Sequence, residues 1–469
     1  MTLWLEWFRC VHMLRPACAR KSTFLWMSLA LAGFCARSEL AGVTSFVRAL
    51  WLDPATYHRL LHLFHTPALS IEQLAKLWIR MALVLFRPLT IEGRCIFLAD
   101  GIKVSKEGKK MPAVKKLHQE SGNNTKPEFI FGHSFQAVSL LARGLLGQPF
   151  AVPLVSRIHE GLVFSNRDKR TLLDKLAALF LEVVAVSDAS AILVADAYYA
   201  SRKVIQPLLA EGHHLITRAR VNTSAWLPAP KPEKPRRGRP KFYGQKIRLR
   251  DLFREQASFL SGASPVYGEE GVVIRYHCVD LLWRPIGQLV RFVLVDHPQR
   301  GRIILMCSDL SIPPMKVIEV YGYRFKIEVG FKQALRTLGA YAYHFWMSNM
   351  TPISRRGLGK QYLHMKTEKY RCNVRRKMDA YHRYVQLACI AQGLQQHLAV
   401  NFRVSVWKHF RSWMRTMTPA LPPSEAVVAK ALRSNLHEFL LDAPQDEELP
   451  KFMRSHLDPE QCPAMLLAG

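Results

Sequence analysis

Up to about position 90, apolar residues recur at helical spacing, around 40–50, 54–64 and 71–86, with almost no strand-like alternation. The pattern predicts a small helical domain over residues 1–90, with Asp53 and Ser70 as N-caps and Pro54 in a first turn. Its longest apolar run, 23–35, is too short to cross a bilayer, and Arg37 and Glu39 follow at once. That run therefore reads as a buried helix. At residue 94 the texture changes. The stretches 94–99, 133–141 and 148–155 read as three strands, 169–186 as a helix, 191–195 as a strand, 198–211 as a helix and 213–219 as a fifth strand.

Three strands, then helix, strand, helix, strand is the order of an RNase H-like mixed α/β sheet, assigned to residues 91–225. Residues 226–241 hold five prolines among six Lys or Arg residues and read as an extended basic linker. The linker opens a β-rich insertion, 226–310, whose strands at 272–282, 288–296 and 302–307 are expected to form much of their own sheet. A long helix follows over 311–345, with Ser311 as a candidate N-cap and prolines in its first turn. The remainder, 346–469, is helical and basic. Its segment 354–383 interleaves cations, among them Arg375, Arg376 and Lys377, with Tyr362, Tyr370, Tyr381 and Tyr384. Residues 442–460 turn acidic and read as a solvated tail.

Composition alters this picture chiefly through charge. The 469 residues include 66 Lys or Arg against 36 Asp or Glu, a formal net charge of +30. A field of that sign and size seeks a polyanion, with nucleic acid ahead of an anionic membrane. The nine cysteines are scattered without CxxC spacing, as expected of reduced thiols rather than disulfides or a zinc site. No GxxxxGK[ST] loop is present, so ATP dependence is not indicated.

Candidate chemistry lies at two Ala-Asp strand ends. Asp100 closes the run Ile96-Phe97-Leu98-Ala99, and Asp196 closes Ile192-Leu193-Val194-Ala195. Singly, each is equally a turn former or an N-cap. Together they could bring two hard oxygen ligands to the middle of one sheet, a set suited to Mg²⁺ or Mn²⁺. On the following helix, Tyr321, Arg324, Glu328 and Lys332 fall within roughly 80° of one face. That face reads either as a metal ligand flanked by cations and a phenol or as a solvated salt-bridge stripe. Gly322 and Gly330 each cost such a helix about 1 kcal/mol relative to Ala, which suggests close approach of another backbone.

Asp100, Asp196 and Glu328, with Tyr321, two residues, Arg324 and three residues before the glutamate, resemble the DDE insertion-sequence transposases with a Tyr-Arg-Glu-Lys motif. The motif's lysine position, seven beyond the glutamate, is Leu335 here, and Lys332 and Arg336 are the candidates to replace it. The resemblance implies that Asp100, Asp196 and Glu328 are the catalytic residues and hold two divalent cations, Mg²⁺ or Mn²⁺. It implies cleavage of double-stranded DNA at transposon ends and strand transfer into target DNA, by a homodimer in a synaptic complex in the bacterial cytoplasm. Residues 1–90 would bind the ends, and Tyr321, Arg324 and Lys332 would contact phosphates. A non-catalytic DNA-binding derivative and an RNase H-like nuclease without strand transfer remain alternatives. Arg237-Gly238-Arg239-Pro240 reads as an AT-hook core or a plain basic linker, and Trp226 is a candidate to stack on a base.

If phosphates dominate binding, log affinity for duplex DNA falls linearly with log salt, at about 0.9 per phosphate contact. Filter binding across a salt series checks this, and a flat response rejects it.

Overall fold

The computed structural model of the chain describes residues 3–119, 127–187, 189–230, 238, 240–354, 356–357, 359–415, 417–442 and 447–462. Arg237, Arg239 and Arg355 lie outside these described residues. In chain order the main elements begin with helices α1 (Lys21–Ala36), α2 (Thr56–His65) and α3 (Ile71–Leu85), then strands β1 (Arg94–Ser105), β2 (Phe129–Arg143) and β3 (Pro149–Ile158). Helix α4 (Leu172–Val184), strand β4 (Ala191–Val194), helix α5 (Arg202–Ala210) and strand β5 (His214–Arg218) follow. Five more strands come next: β6 (Ser224–Pro228), β7 (Tyr243–Arg248), β8 (Val273–Trp283), β9 (Gln288–His297) and β10 (Gly301–Cys307). Helices α6 (Pro314–Gly322), α7 (Lys326–Gln333), α8 (Glu368–Asn401) and α9 (Glu425–Asp442) complete the set. The chain folds as two compact units, one of Met1–Arg87, Gly101–Lys169 and Val329–Gly469, the other of Pro88–Asp100 and Arg170–Glu328.

In the first unit the apolar run of the sequence is α1, buried on nearly every face from Thr23 to Ala36. Among the described residues no helix is long and apolar enough to cross a membrane. Helix α8 forms the other axis of this unit and packs against α1, α2, α3, α9 and β3. Beyond its charged first turns it is buried almost all round, and Tyr381 and Tyr384 lie in the core, not among the exposed cations. Gly393 admits the Trp78 ring, which a Cβ there would meet at 2.2 Å. Ser70 caps α3 as expected, accepting from the Gln73 N–H at 3.2 Å. Asp53 instead takes the Ala55 N–H in a turn before α2. The acidic segment is partly folded: Glu448–Arg454 is a helix burying Leu449 and Met453, because its apolar residues recur between the charges.

Two buried cations organise this unit without a carboxylate partner among the contacts described. Arg37 donates to the carbonyls of Leu338, Gly339 and Gly42 and to the hydroxyls of Ser45 and Tyr384, between the rings of Phe34 and Phe46. It thereby takes up the carbonyls at the end of the helical turn 334–338, where Gly339 turns the chain at φ 60°. Lys106 donates to the carbonyls of Tyr341 and Tyr343, with its ammonium 3.7 Å from the Tyr343 ring centre.

The second unit is built on one sheet. β1, β4 and β5 are parallel neighbours, and β10, β9, β8, β6 and β7 continue it as antiparallel strands. The strands after residue 226 pair mostly with one another, as the pattern suggests, and β10 also joins them to β5, Cys307 opposite Ile216 to Leu305 opposite Arg218. The buried faces of both strands favour one continuous apolar surface. Residues 96–99 of β1 and all of β4 are buried, as parallel strands covered on both faces must be. Helix α4 covers one face, laying Phe180 against Phe97 at a ring separation of 5.9 Å. Its start is fixed by Asp174, which accepts from the Thr171 N–H at 2.6 Å.

Burial holds the Lys106 pKa down, from 10.5 to about 7. Above pH 7 the folded chain therefore binds fewer protons at this site than the unfolded chain, so stability rises with pH towards 10.5, by up to about 1.4 kcal/mol per pH unit. Lys106→Met removes this contribution. Thermal melts between pH 7 and about 8.5, below the onset of thiol ionisation, should rise less steeply for the variant. Identical slopes reject the assignment.

Candidate active site

Strand register brings the two Ala-Asp ends together. β1 and β4 run parallel, with Cys95 opposite Ala191 and so on to Leu98 opposite Val194. Carried two residues beyond the end of β4, that register puts Asp196 level with Asp100 of β1. β4 and β5 keep a parallel register ending at Val194 opposite Ile216, and the same extension brings Arg218 beside Asp196. Asp100 does not end its strand as the sequence suggests, because β1 runs on to Ser105; Asp196 follows the end of β4, and Arg218 is the last residue of β5.

Asp196 also serves the local fold. Its Oδ1 accepts from the Tyr198 N–H at 2.8 Å, starting the turn Ala197–Tyr199, and its carbonyl accepts from the Thr217 hydroxyl at 2.6 Å. The N-cap reading and the site reading of this residue therefore coexist.

The expected long helix arrives in two pieces, α6 and α7, joined by a 3₁₀ turn over Tyr323–Phe325. Pro313, not Ser311, is the N-cap of α6; Ser311 is held by Asp309 instead. Arg324 forks across the site: one terminal nitrogen donates to Asp100 Oδ2 at 3.2 Å and the other to Glu328 Oε1 at 2.7 Å. The Arg324 and Asp100 side chains are about one-fifth exposed, at 21% and 19%, whereas Glu328 is 53% exposed. Desolvation opposes the Arg324 charge, but Glu328, Tyr321 and Asp100 outweigh it and lift its pKa above the ordinary value. Burial pushes the Tyr321 phenol up, against the pull of Arg324 and Arg218.

Arg218, Tyr321 and Arg324 line the polar side of a cavity of about 470 Å³ whose apolar wall includes Val266, Ile303 and Ile318. Gly322 answers to this wall, since a Cβ there would lie 3.0 Å from Val266, whereas among the described residues outside its own helical turn none lies within 4 Å of one at Gly330. The close approach at Gly322 is thus to a side chain and not to another backbone. Lys332, Leu335 and Arg336 are exposed.

The donor set is carboxylate throughout, which suits a hard divalent cation better than zinc. Among the described residues no three His, Cys, Asp or Glu side chains already close on one point; a guanidinium joins Asp100 and Glu328 instead. Arg218 escaped the sequence reading. The signal was available in the basic residue that closes the run 215–217, but only the register of β4 and β5 points it towards Asp196.

Of the other predicted residues, Trp226 is half-buried on β6, with Lys246 and Arg284 about 6 Å from its ring at 6.0 and 5.9 Å. It lines a second cavity of about 680 Å³ with Tyr198, Trp283 and Arg220. Arg375 and Arg376 are exposed on α8, Arg375 pairing with Glu368 at 2.9 Å. Lys377 is half-buried, 3.0 Å from His65 Nε2. The proposed AT-hook arginines, Arg237 and Arg239, lie outside the described residues. All nine cysteines are free thiols.

A family model described as DDE superfamily endonuclease matches residues 13–258. The matched stretch contains the positions of Asp100 and Asp196 and stops short of Glu328. No curated protein matches the chain.

Exposure separates the α8 cations. Arg376→Ala should lower the slope of log affinity against log salt by about 0.9, one phosphate contact, whereas Lys377→Ala should leave the slope unchanged. Filter binding on one duplex compares them, and equal slopes for the two variants contradict the distinction.

Proposed function

This chain belongs to the DDE superfamily endonucleases, and from that premise we propose that it is a transposase, cutting DNA at transposon ends and joining them to target DNA. In this reading Asp100, Asp196 and Glu328 hold two divalent cations, Mg²⁺ or Mn²⁺. The observation that carries it is the parallel register aligning Asp100 with Asp196, together with the Arg324 fork from Asp100 to Glu328. The succession β1, β2, β3, α4, β4, α5, β5 supports an RNase H-like core, interrupted over 226–310 by a β-rich insertion before the Glu328 helix.

When bound, a pair of divalent ions activates a water or a 3′-hydroxyl and stabilises the leaving oxygen in an in-line displacement at phosphorus. The chain's residues do the rest. Asp100 and Asp196 present their carboxylates from rigid neighbouring strands, so little reorganisation is needed to bring them together. Arg218, at the next strand end, and Arg324 offset the negative charge of an incoming phosphate. Tyr321 and Lys332 complete the phosphate contacts, with Lys332 in the role of the motif's lysine. Helical residues 1–90 bind the transposon ends, and the exposed cations of 354–383 add sequence-independent contacts. Two copies act together on a pair of ends.

Asp100→Asn, Asp196→Asn and Glu328→Gln keep shape but remove the charge that a hard cation needs. Each should lower nicking and joining of a labelled duplex carrying the repeats that flank the coding region, on the order of 10²–10³-fold or more. Duplex affinity should survive, and Asp251→Asn, a half-exposed acid elsewhere in the second unit, should keep full activity. Undiminished nicking by any of the three, or full activity in EDTA, contradicts the assignment. Nicking without joined products leaves an endonuclease without strand transfer.

A further inference from the structure

We propose that Arg324 is a displaceable counter-ion of the carboxylate site, occupying Asp100 and Glu328 until a DNA phosphate draws it away, so that divalent cation and DNA bind cooperatively. The inference rests on the reading that these carboxylates hold the cations.

A solvated salt-bridge stripe accounts for only half of what Arg324 does. Its bond to Glu328 is the ordinary i,i+4 pair, worth little on a helix surface. Its bond to Asp100 is of another kind, reaching a strand residue 224 positions away in sequence, with both side chains largely shielded from water. One guanidinium therefore serves two carboxylates, with a third, Asp196, on the adjacent strand. Carboxylates so gathered need positive charge between or beside them. In the free chain Arg324 supplies it, assisted by Arg218 beside Asp196.

A divalent ion competes for the same lone pairs. The guanidinium holds one oxygen of each carboxylate and sets a positive charge between them, so a divalent ion entering there meets charge repulsion and fewer free ligand sites until Arg324 moves. Left with the Tyr321 phenol, which also bonds it, the freed guanidinium would be partly buried without the carboxylate charges it now faces, which suppresses metal affinity. A phosphodiester provides that acceptor, with the planar, two-oxygen geometry a guanidinium prefers. The cavity lined by Arg218, Tyr321 and Arg324 gives the side chain a route away from the carboxylates. By linkage, whatever factor DNA adds to metal affinity, metal adds to DNA affinity. The arrangement keeps the metal site closed until substrate is present.

The test measures Mn²⁺ binding to the full-length chain by calorimetry and electron paramagnetic resonance, with and without a saturating duplex of arbitrary sequence, the duplex alone being titrated as control. Wild type should bind Mn²⁺ weakly, and the duplex should tighten binding about 10-fold or more. Arg324→Gln should bind Mn²⁺ without duplex about 10-fold more tightly than wild type, and gain correspondingly less from the duplex. A phosphate that merely adds a metal ligand would tighten binding equally in both proteins, so equal gains overturn the proposal, as does unchanged Mn²⁺ affinity in the duplex-free variant. Arg324→Lys, which keeps the charge but loses the fork, gives a second reading if the glutamine variant fails to fold: several-fold tighter duplex-free binding is expected, and wild-type affinity rejects the proposal. Asp100→Asn and Glu328→Gln separate the two levels. If they abolish Mn²⁺ binding while the Arg324 variants match wild type, only the counter-ion role falls; if they bind Mn²⁺ as wild type does, the metal assignment itself falls.

Discussion

The parallel register of β1 and β4 is the constraint on which the candidate site depends. A slip of one residue would send Asp100 and Asp196 to opposite faces of the sheet, because side chains alternate along a strand. The slip is resisted by the apolar run on each strand. Residues 96–99 and 191–194 are buried on both faces, so displacement would drag Ile, Leu and Val out of contact and leave ladder groups unpaired. The two acids end one of the most heavily buried parts of the chain, and this is what makes their positions rigid.

Charge is handled differently in the two units. In the first, Arg37 and Lys106 are satisfied by carbonyls, hydroxyls and aromatic faces, which fixes the paths of 334–345 beside α8 and ties early helices to late ones. Within this unit, residues 3–87 share a core with residues 329–462, so the N-terminal helices and α8 stabilise each other. In the second, the cations Arg218 and Arg324 face carboxylates at strand and helix ends beside a cavity. Buried structural cations and half-buried site cations look alike in a sequence with 66 Lys and Arg; their partners distinguish them.

Much of the fold was legible. Strands with continuous apolar runs and helices with clear periodicity were readable because burial is written into local composition, and β2, β3, α4, β8, β9 and β10 lie where the pattern indicates. Less legible were features set by long-range pairing. The strands after 226 read as forming much of their own sheet, and nothing local says that β10 will also meet β5. Tyr381 and Tyr384 read as companions of the neighbouring arginines, since a helix entering a core changes its surroundings within one turn without changing its polarity pattern. The acidic segment read as solvated because charge masks the few apolar residues of Glu448–Arg454 that pack.

For the candidate site, the sequence by itself determined the chemical inventory: two Ala-Asp strand ends, a Tyr, Arg and Glu at helical spacing, and an overall charge of +30 suited to a polyanion. These follow from residue type and short spacing, which local geometry converts directly into strand ends and a helix face. Only the tertiary structure decided the registers that lead towards Asp100, Asp196 and Arg218, and that Arg324 divides itself between Asp100 and Glu328. The physical reason is that register and side-chain choice are settled by packing between segments up to some two hundred residues apart. An arginine four residues from one acid gives no local sign of the second acid it will reach.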